Sequence, residues 1–242
     1  KYRDYLIAKD MAGSSVSRVI SSIRAVMNFA ISEYALDLKN PFVGMYHDRL
    51  AGVSKRLPIP IEDIRKVQQQ CLSLDDDLRW LVALVSDTGM RLAEVSGLLK
   101  TDIILDEDIP FIRVQPHSWR KLKTAGSERD VPLVGVSLWA AQRLLDADPD
   151  SGYAFPRYNK TTITNANSAS AALNKWLHPY VPNGCTMHSF RHSMRDRLRA
   201  VECPADVVDQ IGGWTTGGVG QGYGSGYSLE VCFRWMKKME EK

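Results

Sequence analysis

The sequence predicts a mainly α-helical protein with one small antiparallel β-sheet, an α+β fold in two unequal parts. Three observations lead to this prediction. Apolar residues recur at helical spacing over most of the chain, three short strand segments lie together between residues 102 and 133, and a stretch rich in Gly and Pro interrupts the pattern near residue 55. Most residues should therefore lie in helices, and the strands should form one hairpin with a neighbouring strand.

The first part is an amphipathic helix over residues 15–36, closed by Asn40-Pro41. Such a helix is too short to bury its apolar stripe alone, and the chain begins at Lys1 without Met, so it looks like the end of a small helical domain in a longer protein. The stretch GVSKRLPIP reads as a linker. We place a partial helical domain at residues 1–50, a linker at 51–60 and a larger domain at 61–242.

In the larger domain, helical spacing predicts helices over residues 61–72, 78–90, 91–99, 136–146, 165–178, 187–200, 204–211 and 228–240. The predicted strands are 102–105, 111–115 and 129–133. The last two flank a basic stretch, HSWRKLKTAGSE, and this indicates a hairpin with a long, positive loop.

Composition limits the classes of function. The 242 residues are 44% hydrophobic and carry a net charge of +3, which is ordinary for a globular domain and only weakly suggests a nucleic-acid partner. The four cysteines form no Cys-x-x-Cys pair, so we expect no metal site and a reducing, cytoplasmic setting. No apolar run is long enough for a membrane span, so no membrane partner is expected.

Two segments combine Arg with a titratable residue three positions away. In RLAE, Arg91 and Glu94 share one face at a helix start, where a guanidinium can bind phosphate and a carboxylate can hold it. A plain surface ion pair would look the same. In TMHSFRH, Thr186 can cap a helix on which His188 and Arg191 share a face suited to acid–base work beside a phosphate, although a solvated basic face is the alternative.

Two further segments could carry chemistry. Lys123, in the predicted hairpin loop, could swing an ammonium group into a site, although most loop lysines are merely solvated. The segment IGGWTTGGVGQGYGSGY is unusually rich in Gly, which suggests a pliable stretch that places a side chain against a ligand rather than a loop that is simply exposed. It contains Trp214, with an indole N–H donor, and two tyrosines, Tyr223 and Tyr227.

Taken in order, these segments resemble the tyrosine recombinase (phage integrase) family, whose catalytic set is Arg, Lys, His-x-x-Arg, His or Trp, and Tyr. TGMRLAE resembles the first arginine box, KTAGSERDVPL the β-hairpin lysine signature, and HSFR the second box. Trp214 stands where the family has His or Trp, and Tyr223 follows nine residues later. The resemblance covers about residues 58–242, and residues 1–50 resemble the end of the family's helical core-binding domain, which binds DNA.

The resemblance implies a site-specific recombinase that cleaves and rejoins DNA through a 3′-phosphotyrosine intermediate. Arg91 and Arg191 would bind the scissile phosphate, and no metal or cofactor would be needed. Spacing favours Tyr223 over Tyr227 as the nucleophile. The implied catalytic residues are Tyr223, Arg91, Lys123, His188, Arg191 and Trp214, with Glu94 orienting its arginine or the neighbouring histidine.

The implied partner is double-stranded DNA with specific recombination sites, bound by basic residues of both domains. The predicted DNA-binding residues are Arg18, Arg24, Lys55, Arg56, Arg120, Lys121 and Arg195. The last helix packs either on a neighbouring protomer, which would favour a tetramer on DNA, or on its own chain. Accessory DNA-bending proteins are further possible partners.

Among recombinases, the integrase of a phage or another mobile element fits the Gly-rich tyrosine segment best, which implies a bacterial or phage origin. Two other readings stay open. A type IB topoisomerase uses similar chemistry, and a DNA-binding regulator could keep the fold without catalysis.

Overall fold

The computed structural model describes residues 1–53, 57–147, 150–160, 162–214 and 226–242. The chain divides between Lys55 and Arg56 into two compact units. Helices predominate in both, and the larger unit also carries small antiparallel sheets, so the predicted mainly α fold with a small antiparallel sheet is confirmed.

The smaller unit contains two helices, α1 (Tyr2–Ala8) and α2 (Gly13–Glu33). Its buried apolar side chains are Leu6, Val16 and Ile20. The second helix was predicted as 15–36, but it ends earlier, and the first was not predicted. The fully buried side chains of α2 lie in its N-terminal half, and Val26 and Phe29 in its second half are well exposed.

The larger unit begins before its first helix. Ile59 is buried, its N–H donates to Ser193 Oγ at 2.7 Å, and the same hydroxyl donates to the Ile59 carbonyl at 3.0 Å. This end of the predicted linker is therefore docked on the larger unit. The helices that follow are α3 (Ile61–Leu74), α4 (Asp77–Thr88), α5 (Leu92–Ser96), α6 (Gly135–Asp146), α7 (Ala166–Leu177), α8 (Ser189–Ala200), α9 (Ala205–Gly212) and α10 (Leu229–Glu241).

The main sheet has the order β1-β2-β3, with strands Ile103–Ile104, Phe111–Val114 and Arg129–Pro132. Strands β2 and β3 pair antiparallel, with Ile112 opposite Val131, so the predicted hairpin is present. A second pair, β4 (Asn159–Lys160) and β5 (Ile163–Thr164), was not predicted. Each of these two strands has only two residues, too few to show a period in the sequence.

Helix α4 forms the centre of the core of the larger unit. Residues 81–88 are buried all round, as expected for a helix without a polar face, and it packs against α3, α6 and α8. Asp76 caps its start by accepting the N–H of Arg79, and Gly89 ends it in the left-handed conformation (φ 57°). The turn after α4 is thereby fixed, and it leads directly into Arg91, the first of the two arginines predicted to bind phosphate.

Helix α10 packs within its own chain, against β3 and α8. Its buried residues are Cys232, Met236 and Met239. At its end, Lys242 Nζ donates to the Ala200 carbonyl at 2.7 Å, and the Lys242 carbonyl accepts from Arg65 at 2.8 Å.

The four cysteines are free and buried. Burial raises the pKa of Cys71 and Cys203 to about 12 and that of Cys232 to about 11. Among the residues that the structure describes, no helix combines the length and the hydrophobicity that a membrane span requires.

Candidate active site

The turn between α4 and α5 brings the two predicted arginines together. A Cβ at Gly89 would lie 2.9 Å from Met194 Cβ, so only glycine lets this turn approach α8 so closely. Arg191, one turn before Met194 on α8, donates from Nη1 to the Gly89 carbonyl at 2.8 Å. Arg91 follows Gly89 by two residues and therefore stands beside Arg191.

Arg91 is the N-terminal cap of α5 and is held by Glu94. The Glu94 carboxylate accepts the backbone N–H of Arg91 at 2.9 Å and its Nη1 at 2.6 Å. Arg91 also donates from Nη1 to Ser127 Oγ at 3.1 Å and from Nη2 to the Gly213 carbonyl at 3.1 Å. This is a half-buried, oriented guanidinium, unlike the mobile partner of an exposed surface pair.

Glu94 is only 3% exposed, and a second guanidinium shares its carboxylate. Arg129 donates to Glu94 Oε2 from Nη2 at 3.1 Å. Burial by itself would raise the pKa of Glu94, but the charge of Arg129 and the hydrogen bonds from Arg91 and Arg129 outweigh it and lower that pKa. Glu94 is therefore ionised at neutral pH.

Arg191 is 3% exposed. Besides Gly89, it donates to the carbonyl of Gly212 at the end of α9. Burial, followed by the positive charges of Arg91 and Arg129, lowers the pKa of Arg191 to about 9. It remains a cation at neutral pH, in a place where an anion would relieve the repulsion.

Trp214 lies directly after α9 and contacts two guanidinium groups. The Cζ of Arg191 lies 4.3 Å from the centre of the indole ring, and that of Arg195 lies 4.8 Å from it. The ring also packs so closely on Gly212 that any Cβ there would overlap it. The backbone N–H of Trp214 donates to the Asp209 carbonyl at 2.9 Å, which fixes the turn that carries the ring.

Three consecutive carbonyls at the end of α9 each accept from a different arginine. Those of Ile211, Gly212 and Gly213 accept from Arg129, Arg191 and Arg91, in that order. The C-terminal end of a helix carries partial negative charge, so cations are favourable there. We call these three carbonyls with Trp214 the α9 turn.

His188 and Lys123, two of the predicted catalytic residues, are more exposed to solvent than the arginines. His188 is exposed at the N-terminal end of α8, and its ring lies 5.4 Å from that of His192 in an edge-to-face contact. Lys123 is exposed on the hairpin. The next residue, Thr124, shares a hydrogen bond of 2.9 Å with Ser127 Oγ, which Arg91 also contacts, so this part of the hairpin is joined to the arginines.

Thr186 does not cap α8, contrary to prediction. The helix begins at Ser189, and the backbone N–H of Thr186 instead donates to Ser189 Oγ at 3.1 Å. The two residues between Thr186 and the helix put its hydroxyl out of register with the first helical N–H groups.

The sequence profile of the phage integrase family matches residues 61–224. The chain belongs to the phage integrase family, the tyrosine recombinases. Solved structures share the fold. The integrase of transposon Tn1549 in complex with circular intermediate DNA superposes with a TM-score of 0.64 at 16% identity, over 97% of this chain and 82% of that one.

Two other integrases have similar folds at comparably low sequence identity. The lambda integrase tetramer bound to a Holliday junction gives a TM-score of 0.63 at 14% identity, over 90% of this chain and 60% of that one. The integrase from mycobacterium phage Brujita gives a TM-score of 0.56 at 13% identity, over 95% of this chain and 73% of that one. No curated protein sequence gives a significant match.

In this integrase-family chain, Tyr223 lies outside the described residues, which stop at Trp214 and resume at Gly226. Tyr227 is described. Its hydroxyl donates to Asp206, and its backbone N–H and carbonyl both bond the Gln210 side chain at 2.7 Å. The hydrogen bond to Asp206, then burial, raises the pKa of Tyr227.

The predicted DNA-binding residues differ in their surroundings. Lys55 and Arg56 are outside the described residues, while Arg18 and Lys121 are exposed. Two are partly engaged. Arg24 Nε donates to the Phe42 carbonyl at 2.9 Å, and Arg195 is paired with Asp209 at 2.9 Å.

Arg120, which was also predicted to bind DNA, is directed toward the protein. It is 3% exposed and donates to the carbonyls of Glu94 and Gln115, so it pins the hairpin to α5. The basic stretch in the sequence did not distinguish a guanidinium that faces inward from one that faces solvent.

Arg129 and Ser127 were not singled out from the sequence, although both contact the site. They follow Lys123 in the hairpin segment, and Arg129 opens strand β3. In the sequence, Arg129 is one of two adjacent charged residues at the start of the strand, followed by Asp130, and residue type alone does not set it apart. Throughout the described ranges, no three His, Cys, Asp or Glu side chains come together as metal ligands would.

Proposed function

We propose that this chain is a site-specific DNA recombinase, the integrase of a phage or another mobile element, which cleaves and rejoins strands through a 3′-phosphotyrosine bond. The observation that carries the proposal is the pairing of Arg91 and Arg191 beside the α9 turn. Family and fold are consistent with site-specific recombination. The arginine geometry supports the finer statement about chemistry.

Arg91 and Arg191 are the proposed phosphate ligands. Each is held by backbone carbonyls on one side, so its direction is set before DNA arrives. Two oriented guanidinium groups can contact both non-bridging oxygens and stabilise the charge that develops in a pentacoordinate transition state. Positive charge supplied in this way does the work that a metal ion does elsewhere, so we propose a reaction without a cofactor.

Tyr223 is the proposed nucleophile. Its hydroxyl oxygen would attack the scissile phosphorus and displace the 5′-oxygen of the neighbouring nucleotide, and the reverse attack by a 5′-hydroxyl would rejoin the strand. Tyr227 is the poorer candidate, because Gln210 and Asp206 hold it and because its pKa is raised, which disfavours the phenolate. Tyr223 belongs to the segment that begins at Trp214, against the arginines.

The remaining roles follow from the placement of each side chain. His188 would accept the tyrosine proton or orient the hydroxyl, and Lys123 would protonate the leaving 5′-oxygen. Trp214 would hydrogen-bond the phosphate through its indole N–H and pack against it. Glu94 would hold Arg91 in direction.

The proposed partner is double-stranded DNA with specific sites. Arg18, Arg24, Lys55, Arg56, Lys121 and Arg195 are the proposed contacts, mostly to phosphates. A homotetramer on two sites is proposed in analogy with the lambda integrase tetramer on a Holliday junction. Accessory DNA-bending proteins and a cytoplasmic location in a bacterial host belong to the same proposal.

The test is covalent trapping on a nicked duplex taken from the DNA that flanks the gene. We expect the unchanged protein to form a DNA–protein adduct that survives denaturation, and Tyr223→Phe to abolish it while DNA binding persists. Tyr227→Phe is the matched control and should retain adduct formation to within a few-fold.

Two outcomes would contradict this. Adducts that persist in Tyr223→Phe and disappear in Tyr227→Phe would move the nucleophile. Binding without any adduct in the unchanged protein would indicate a DNA-binding regulator, and relaxation of supercoiled plasmids without specific sites would indicate a topoisomerase.

A further inference from the structure

Arg129 is the third guanidinium of the site, and it faces the protein. Its side chain is 4% exposed, and all three of its nitrogens donate within the chain. Nε donates to the Ile211 carbonyl at 2.8 Å, Nη1 to the Ser127 carbonyl at 2.7 Å and Nη2 to Glu94 Oε2 at 3.1 Å. Three of its five N–H groups therefore hold parts of the protein together.

These three acceptors belong to three separate pieces of the site. Glu94 is on α5, Ser127 is in the hairpin beyond Lys123, and Ile211 is in the α9 turn. A planar guanidinium with a fixed fork of donors can hold three such acceptors at set angles, which an ammonium group cannot.

The backbone of Gly213 lies against the same guanidinium. A Cβ at Gly213 would come within 2.7 Å of Arg129 Nη1, and the residue has a φ of 59°. The Gly213 carbonyl accepts from Arg91. The α9 turn is thus held between Arg129 and Arg91.

Arg129 also supplies charge to Glu94. A buried carboxylate is favourable only while it is paired, and Arg129 is the larger electrostatic source of that pairing. A protonated Glu94 would bind Arg91 much more weakly, since a carboxylic acid is a far weaker acceptor of hydrogen bonds from a guanidinium than a carboxylate is.

We propose that Arg129 is a positioning residue of this site: its guanidinium keeps Glu94 ionised beneath Arg91 and fixes the α9 turn, so that Arg91 and Trp214 are set in direction before DNA binds. The proposal rests on the recombinase function proposed above. Arg129 does not touch the phosphate, so its effect passes through Glu94 and the turn.

The first experiment needs no DNA. The carboxyl carbon of Glu94 is followed by NMR through a pH titration in the unchanged full chain, in Arg129→Gln and in Arg129→Lys. We expect the midpoint to rise by about one pH unit or more in Arg129→Gln, and to stay near its original position in Arg129→Lys, which keeps the charge. An unchanged midpoint in Arg129→Gln would overturn the proposal.

The second experiment is the pH dependence of adduct formation. In Arg129→Gln the acidic limb should move upward with the Glu94 midpoint, so that the rate falls about tenfold for each pH unit below it. Adding Arg129→Gln to a Glu94→Gln protein should cause no further movement. In Arg129→Lys the limb should stay in place, but the rate should drop at every pH, because an ammonium group lacks the planar fork of donors that sets Ser127, Ile211 and Glu94 in one geometry.

Arg113→Gln is the matched control, because Arg113 lies on the neighbouring strand and makes an exposed pair with Asp130. It should change neither the Glu94 midpoint nor the rate.

A loss of rate in Arg129→Gln with an unchanged pH profile would show that Arg129 has only a structural role. An Arg129→Lys protein as active as the unchanged one would show the same. If the unchanged protein forms no adduct, the recombinase proposal fails while the NMR result still judges the effect of Arg129 on Glu94. If Arg129→Gln does not fold, Arg129→Lys decides the matter through its rate.

Discussion

At the scale of single residues, three guanidinium groups meet around the carboxylate of Glu94. Arg91 and Arg129 both contact it, while Arg191 lies beside them among backbone carbonyls. Burial and the neighbouring positive charges lower the pKa of Arg191 to about 9, so its charge carries a free-energy cost in this place. A phosphate group would repay that cost, and this is the electrostatic reason to expect DNA here.

Arg191→Lys should therefore weaken both the fold and the reaction. An ammonium group is a compact donor that does not reproduce the fork with which the guanidinium reaches the Gly89 and Gly212 carbonyls, and a buried acceptor left without a partner costs about 1–3 kcal/mol. We expect a drop of that size in the free energy of unfolding, measured by urea denaturation, and loss of DNA adducts. Arg199→Lys, exposed on the same helix, should change neither. Equal stability of Arg191→Lys and the unchanged protein would contradict this.

Glu94 should make the fold sensitive to acid. Its pKa in the folded protein is lowered from the ordinary 4.5, so the unfolded chain binds its proton more readily and Glu94 stabilises the fold above that pH. This contribution is lost as the pH falls through the lowered pKa. Glu94→Gln should flatten the decline of melting temperature between neutral pH and the acidic range. A decline of unchanged steepness would show that other groups govern it.

At the scale of elements, the end of α9 is the point where the site is assembled. Its last carbonyls are bound by arginines from β3, α8 and the α4–α5 turn, which are distant in sequence. Helical periodicity predicted α9 to within a residue, because its apolar face is regular. It could not predict which side chains donate to the carbonyls at its end, since those contacts depend on the packing of separate elements.

Gly212→Ala tests this turn. Any Cβ at Gly212 would overlap the Trp214 ring, so the ring must leave the guanidinium groups. We expect slower adduct formation, by tenfold or more, with a smaller effect on DNA affinity. Gly126→Ala in the hairpin is the control, because a Cβ there meets nothing within 4 Å. Normal adduct formation by Gly212→Ala would mean that Trp214 has no part in the chemistry.

The fold was predicted from the periodicity of apolar residues, and the candidate site from short motifs of charged and titratable residues. Arg91, Glu94 and Arg191 could be found because each stands in a short motif with a second charged or titratable residue. The orientations of Arg120 and Arg129 could not be predicted, because whether an arginine in a basic hairpin faces a carbonyl or the solvent depends on strand register and on partners far away in the chain.

At the scale of the whole molecule, the two units have separate cores of very different size. The larger buries apolar side chains from Ile59 to Met239, whereas the smaller buries Leu6, Val16 and Ile20. With so few buried apolar side chains, the smaller unit should have little stability of its own. The catalytic chemistry proposed here belongs entirely to the larger unit.

Residues 56–242 should therefore fold without the smaller unit. We expect this piece to show one cooperative thermal transition within a few degrees of that of the full chain, measured by circular dichroism, while residues 1–55 alone show none. A piece 56–242 that lacks a cooperative transition would contradict the division into independent cores.

The four native cysteines are buried and should react slowly with thiol-specific labels. Thiolates are the reactive form, and the raised pKa values of Cys71, Cys203 and Cys232 leave almost none at neutral pH, while Cys185 is shielded by burial. A cysteine introduced by Tyr223→Cys could then carry a fluorescent dye almost alone. Energy transfer from that dye to one on a DNA end would follow the position of residue 223, the proposed nucleophile, as the complex forms.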